Sequence, residues 1–397
     1  MQVIVALETR FERTPDGRVW TQTMNAYPFW SRYLAVFEGV RTVARVRDVS
    51  AILPEWQRAD GEGVTFAALP DYAGLQQYLW KALQVRRAAR NAFQLGDAVI
   101  LRVSSMAGAI LQAYLRQIRY PYGVEVVGDP YDVFSPGAFK HPLRPLFRWW
   151  FTRKLREQCA RASAAAYVTA GALQARYPCP NYSVGVSDVE ITDAALVSAP
   201  RKYHPVARPF TLITVGSLAH FYKGPDVLIE ALARCIKQGV DLNLVLVGDG
   251  KHRSELQERV SDLGIEERVR FLGQLTMGDA VRAQLDRADL FVLPSRQEGL
   301  PRALVEAMAR ALPCIGSTVG GIPELLASED LVTPGDAAGL AAKIREVLTN
   351  LRRLESMSAR NLRSAREYHD DILKEKRLDF YRQVKEKTLK WQGEQGR

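Results

Sequence analysis

From Phe210 onward, short apolar runs alternate with segments whose apolar positions recur every three or four residues, the signature of strands followed by amphipathic helices. The pattern predicts strands over 210–215, 242–247, 269–272, 290–293, 313–316 and 331–332, and helices over 226–237, 253–263, 277–285, 300–311 and 337–348. Such alternation builds a parallel sheet covered by helices on both faces. The first half repeats the rhythm less regularly. Its strands are predicted over 3–7, 42–46, 98–103, 124–127 and 164–168, with helical segments over 72–93 and 143–162. Between the halves, 198–209 holds three prolines and no period, which predicts a linker. The expected fold is α/β, with two facing Rossmann-like domains over 1–205 and 208–370. A mixed-charge helix over 371–397 needs a surface for Ile372, Leu373, Leu378, Phe380, Tyr381 and Val384.

Composition narrows the function classes. At 397 residues with 47% hydrophobic and 25% charged side chains, the chain exceeds one ordinary core and is neither disordered nor fibrous. Cys159, Cys179, Cys235 and Cys314 form no C-x-x-C pair, so no zinc or disulfide framework is expected and a reducing, cytoplasmic setting fits. The first seven residues read as a strand rather than a leader, and no apolar run is long enough for a transmembrane helix. A net charge of +10 favours anionic partners. That charge is uneven: +8 over 1–207, −3 over 208–350 and +5 over 351–397.

In a two-domain fold of this kind, ligands sit outside the carboxyl ends of the strands. There the chain carries Glu298-Gly-Leu-Pro-Arg-Ala-Leu-Val-Glu306, a loop entering a helix. Carboxylates accept two hydrogen bonds at once and suit vicinal diols, so Glu298 and Glu306 can bracket one extended ligand. The amides of Gly299, Leu300 and Arg302 open the helix toward phosphate, and Pro301 suits its first turn. A second loop, Gly216-Ser217-Leu-Ala-His-Phe-Tyr-Lys223, brings a cation to the end of the first strand of this half.

With Pro294-Ser295 before it and Gly320-Gly-Ile-Pro-Glu324 after it, the Glu298-x7-Glu306 segment resembles glycosyltransferase family four. The likeness is dense from about 210 to 348 and weak before it. It implies the GT-B fold, a nucleoside diphosphate sugar as donor, retention of anomeric configuration and no metal cofactor. On that likeness Glu298 contacts the donor sugar and Glu306 holds the ribose. Lys223, Gly216 and Ser217 face the diphosphate, and Leu275 lies near the base. Ser217 stands where the family usually carries an arginine. Gly17 is the candidate small residue beside the phosphates, with an ordinary turn as its alternative. Gly128 occupies the usual histidine position, leaving Asp129 as a catalytic candidate or a helix cap.

Independently of that likeness, 140–156 interleaves basic residues with aromatics: Lys140, Arg148, Trp149, Trp150, Arg153 and Lys154. It reads either as a face docking on an anionic membrane, peripheral on the inner side, or as an amphipathic helix with its aromatics in the core. No nucleic-acid module accompanies it. The acceptor expected is a glycan or lipid-linked saccharide. The alternatives are a sugar-nucleotide epimerase and a non-catalytic nucleotide-sugar-binding subunit at the membrane.

Overall fold

The computed structural model describes residues 1–134, 141–204, 209–276 and 278–395. Lys140, part of the linker and Met277 therefore lie outside the described residues. The N-terminal strands are β1 (Gln2–Arg13), β2 (Val19–Thr21), β3 (Gly39–Asp48), β4 (Gln57–Arg58), β5 (Val64–Pro70), β6 (Ala98–Val103), β7 (Gly123–Val126), β8 (Ala164–Tyr167) and β9 (Tyr182–Gly185). Seven of them run parallel in the order β5-β3-β1-β6-β7-β8-β9, and β2 and β4 extend the far end of β1 as antiparallel pairs. β1 runs six residues beyond the predicted strand because its register slips between Ala6 and Arg10 and pairing then resumes with β3. Glu8 sits in that irregularity.

The helices of this half are α1 (Tyr27–Ser31), α2 (Gly74–Asn91), α3 (Met106–Gln117), α4 (Pro130–Val133), α5 (Arg144–Arg161) and α6 (Ala172–Arg176). The two faces of the sheet bury separate apolar clusters, one around Leu101 and Tyr167 and the other around Trp30 and Tyr33. A buried ionic group ties the sheet to the exit of β9. Arg102 donates to Glu125 at 2.7 Å and also pairs with Asp188, and the Tyr33 hydroxyl donates to Glu125 at 2.9 Å. Burial alone would raise the Asp188 carboxyl, but the guanidinium groups of Arg102 and Arg32 outweigh it and hold it well below the usual carboxylate range.

The second sheet contains β10 (Phe210–Val215), β11 (Leu242–Val247), β12 (Val269–Gly273), β13 (Leu290–Leu293), β14 (Cys314–Ser317) and β15 (Leu331–Val332). All are parallel, in the order β12-β11-β10-β13-β14-β15. Its helices are α7 (Pro225–Lys237), α8 (Arg253–Asp262), α9 (Asp279–Arg287), α10 (Arg302–Ala309), α11 (Ile322–Leu325), α12 (Ala337–Leu348) and α13 (Leu351–Arg366). The last helix, α14 (Asp370–Gln395), packs against β6, β8 and β9 of the first sheet. It buries Phe380, Tyr381 and Val384 there, each apolar side chain contributing about 1.5–3 kcal/mol. Gly123 of β7 meets α14 without a side chain of its own, since a Cβ would lie 2.5 Å from Val384.

Candidate active site

The strand order reverses between β10 and β13, so the loops leaving their carboxyl ends diverge and open a crevice. Lys223 ends the first loop and Glu298 lies in the second. Their side chains meet: the Lys223 ammonium donates to Glu298 Oε1 at 2.6 Å, and Ser295 Oγ donates to the same oxygen at 2.7 Å. Glu298 is buried, and Lys223 lies 5.3 Å from the Tyr222 ring centroid. Lys223 crosses directly over Gly216, where a Cβ would stand 3.3–3.4 Å from its methylenes. Gly224 follows with φ +69°, and a side chain there would strike the Pro294 carbonyl at 2.2 Å.

Arg296 holds the two loops in register. It donates to both oxygens of Asp226, at 2.8 and 2.7 Å, and to the Phe221 carbonyl at 2.9 Å, while its own amide reaches the Tyr222 carbonyl at 2.6 Å. Sequence reasoning missed Arg296, because an isolated arginine beside a motif carries no periodic or spacing signal, and it used Ser295 as part of the motif without giving it a role.

The loop after Glu298 also faces the first domain. A Cβ on Gly299 would lie 3.5 Å from the Val127 carbonyl and from Val168, at the ends of β7 and β8. Gly321 donates to the Gly299 carbonyl at 2.6 Å, folding 320–324 beneath it. Glu324 then crosses to the other domain, accepting from Ala170 at 2.6 Å, from Gly171 at 3.0 Å and from Ala172. Pro301 caps α10 instead of sitting in its first turn, and the helix begins at Arg302, two residues later than predicted.

Glu306, on α10, borders a separate cavity of about 260 Å³ with Arg302, Arg282, Glu190, Thr192 and Gly278. Burial pushes its carboxyl up, partly offset by Arg302 and Arg282. Glu298 and Lys223 are thus brought into contact, whereas Glu306 stands apart on the same helix-entry unit.

The model for the family described as "Glycosyl transferases group 1" matches residues 209–350. Residues 209–350 form a group 1 glycosyl transferase domain. CapJ of Staphylococcus aureus is 27% identical over 366 residues, covering 90% of each chain. The N-acetyl-alpha-D-glucosaminyl L-malate synthase of Bacillus anthracis is 38% identical over 140 residues, 34% of this chain and 35% of that protein. Two solved structures share the fold at 17% identity, each covering 96% of this chain and 98% of its own. They are sucrose-phosphate synthase from Thermosynechococcus elongatus, with a TM-score of 0.67, and Anabaena Alr3699/HepE in complex with UDP and glucose, with a TM-score of 0.62. The second domain is thus of the group 1 glycosyl transferase kind, and the chain as a whole has the GT-B fold.

Among the described residues no hydrogen bond joins Asp129, Gly17, Ser217 or Leu275 to Lys223 or Glu298. Asp129 is a helix cap: it accepts from the Tyr131 amide at 2.9 Å, and its oxygens are further engaged by Arg176 and the Tyr177 hydroxyl. That network bears out the capping alternative, with the carboxylate buried between α4 and α6. Gly17 sits at the exposed tip between β1 and β2 with φ +83°, and a Cβ there would meet nothing within 4 Å. The positive φ of the turn itself favours glycine, as the alternative reading of this residue expects. Ser217 is exposed and accepts from the Ala219 amide at 3.2 Å, and Leu275 lies past β12, half-buried against the core.

The reading of Trp149 and Trp150 as core is also corrected: on α5 they are 58% and 43% exposed, because the opposite flank of the helix, at Leu155 and Cys159, makes the core contact. Arg148 lies 3.5 Å from the Tyr131 ring centroid and Arg153 lies 5.8 Å from that of Trp149. Burial lowers the Lys154 ammonium. Among the described residues no helix is long and apolar enough to cross a membrane.

Proposed function

We propose that the protein transfers a sugar from a nucleoside diphosphate sugar to a hydroxyl of a glycan or lipid-linked saccharide, with retention. The observation that carries this reading is the Lys223–Glu298 contact at the crevice between the domains. A donor diphosphate competes with Glu298 for the Lys223 ammonium. Glu298, released, is free to accept from the hydroxyls of the donor sugar, and Glu306 from those of the ribose. Ser217 and the amides of Gly299 and Leu300 add neutral donors to the phosphates. The acceptor oxygen bonds to the anomeric carbon on the face from which the diphosphate departs, and its proton passes to the departing phosphate oxygen. Charge on that leaving group is met by Lys223 and backbone dipoles, so no metal is required. UDP binding by the HepE neighbour supports a uridine donor as the first to try.

Glu298→Ala should lower turnover at least about 10²-fold with an unchanged far-UV spectrum. Undiminished transfer would overturn the assignment, as would a product of inverted anomeric configuration by NMR. Activity should survive EDTA. Incubation with the sugar nucleotide alone should give no isomer, which separates transfer from epimerisation. The exposed Trp149 and Trp150 beside Arg148, Arg153 and Lys154 support an anionic membrane surface as a further partner, with the protein cytoplasmic and peripheral.

A further inference from the structure

The first sheet has its own reversal of order. β1 lies between β3 and β6, and the chain winds outward from it to β5 on one side and β9 on the other. Above that point, on the edge facing the second domain, is a cavity of about 400 Å³, within the usual range for ligand pockets. Its walls are aromatic and aliphatic: Tyr72, Tyr78, Met106, Phe147, Trp150 and Phe151. The polar residues of the lining are Glu8, Arg45, Ser104, Ser105, Lys154 and Gln158. Glu8 accepts from the Met106 amide at 2.7 Å and pairs with Arg45 at 3.3 Å, and Lys154 borders the cavity from α5. A saccharide would meet mostly apolar surface here, and each hydroxyl buried against that surface without a partner would cost roughly 1–3 kcal/mol.

α5 forms one wall of this cavity and also one wall of a second groove of about 660 Å³, which gathers Arg144, Arg148, Arg153 and Arg156. Among the described residues no carboxylate lies within 4 Å of these four guanidinium groups. Arg148 and Arg156 donate instead to the carbonyls of Tyr131, at 2.8 Å, and Arg176, at 3.2 Å. The groove also holds Arg176, which pairs with Asp129 and Asp132, and Asp132 feels the charge of Arg148. The cationic excess left on this flank and the apolar hollow on the other match an amphiphile with an anionic head. α2, which supplies Tyr78 to the cavity, exposes Leu79, Trp80 and Leu83 in the same two turns, Trp80 being 86% exposed.

We propose that this cavity takes the apolar chain of a phosphate-headed lipid, the head lying against the α5 arginines. The assignment rests on the transferase reading and narrows its acceptor to one carried on such a lipid, met at the first domain's own switch point.

The test uses the full chain without donor and titrates farnesyl phosphate below its micellar range, with farnesol and inorganic phosphate in parallel, read by tryptophan fluorescence and calorimetry. Farnesyl phosphate should bind at least tenfold tighter than either. Ala109→Trp, which fills the cavity from α3, and Trp150→Ser, which alters an exposed lining residue, should each weaken chain binding at least tenfold. Arg148→Gln with Arg153→Gln should abolish the preference for phosphate over alcohol. Equal binding of farnesol, equal binding of inorganic phosphate, or indifference to both cavity variants would overturn the proposal. UDP binding by thermal shift on the same samples keeps the readings separable: loss of lipid binding with UDP binding intact refutes the cavity assignment alone, and the reverse refutes the donor site alone.

Discussion

Lys223 and Glu298 hold each other in a partly buried pair, and each leaves an uncompensated charge when the other is removed. Lys223→Met should therefore destabilise the fold by on the order of 3 kcal/mol in urea melts, and the further change Glu298→Gln should recover part of that loss without restoring activity. Additive losses would mean that the pair is not coupled. Glu306 poses the opposite problem, because burial raises its carboxyl above the ordinary value of 4.5. A raised folded-state value favours the protonated form, so that contribution to stability is present at low pH and is lost as pH rises through it. Glu306→Gln should accordingly be neutral or stabilising at pH 7 in the absence of nucleotide, while weakening donor binding about tenfold. Donor affinity of the unaltered protein should decline on acidification before pH 4.5 is reached, and the Gln variant should lack that decline. A parallel decline in calorimetry would exclude Glu306 from the donor site.

At the level of elements, the second domain was legible because each strand and helix follows a single period and its loops carry glycines with a steric reason to be there. Gly224 and Gly248 are of that kind, since a Cβ on Gly248 would stand 2.0 Å from the Gly216 carbonyl. The first domain was harder to read. β2, β4 and β9 are two to four residues long, too short to show a period, and β5 mixes exposed Thr65 with half-buried Ala67. Contacts across the domains had no local signal at all: Glu324 reaches amides about 150 residues away. Asp129 shows the converse difficulty, where a polar residue after a strand reads equally as catalyst or cap until Arg176 and Tyr177 are seen around it. Because Glu324 stitches α11 to the start of α6, Glu324→Ala should shift the domains toward a more open arrangement by on the order of 2 kcal/mol. Spin labels on α3 and α8 would report this as a longer distance distribution, and an unchanged distribution would show that the bridge carries no closing energy.

Across the whole molecule, the charge is concentrated in the first domain. Residues 1–207 carry most of the positive excess, +8, whereas 208–366, which includes α13, sums to +1 and 367–397, which holds α14, to +1. Sedimentation with vesicles containing anionic lipid should therefore retain the protein at low salt and release it at high salt, and Arg148→Glu with Arg153→Glu should lower retention even at low salt. Retention equal on neutral vesicles would assign binding to the exposed tryptophans alone. α14 joins the first domain from the far end of the chain. During synthesis the second sheet has all its strands before α14 leaves the ribosome, yet the face of β6, β7 and β8 that receives Phe380 and Val384 stays uncovered until then. The domain made first is thus the one finished last, and while elongation continues its bare sheet face is the part of the nascent chain most in need of a chaperone.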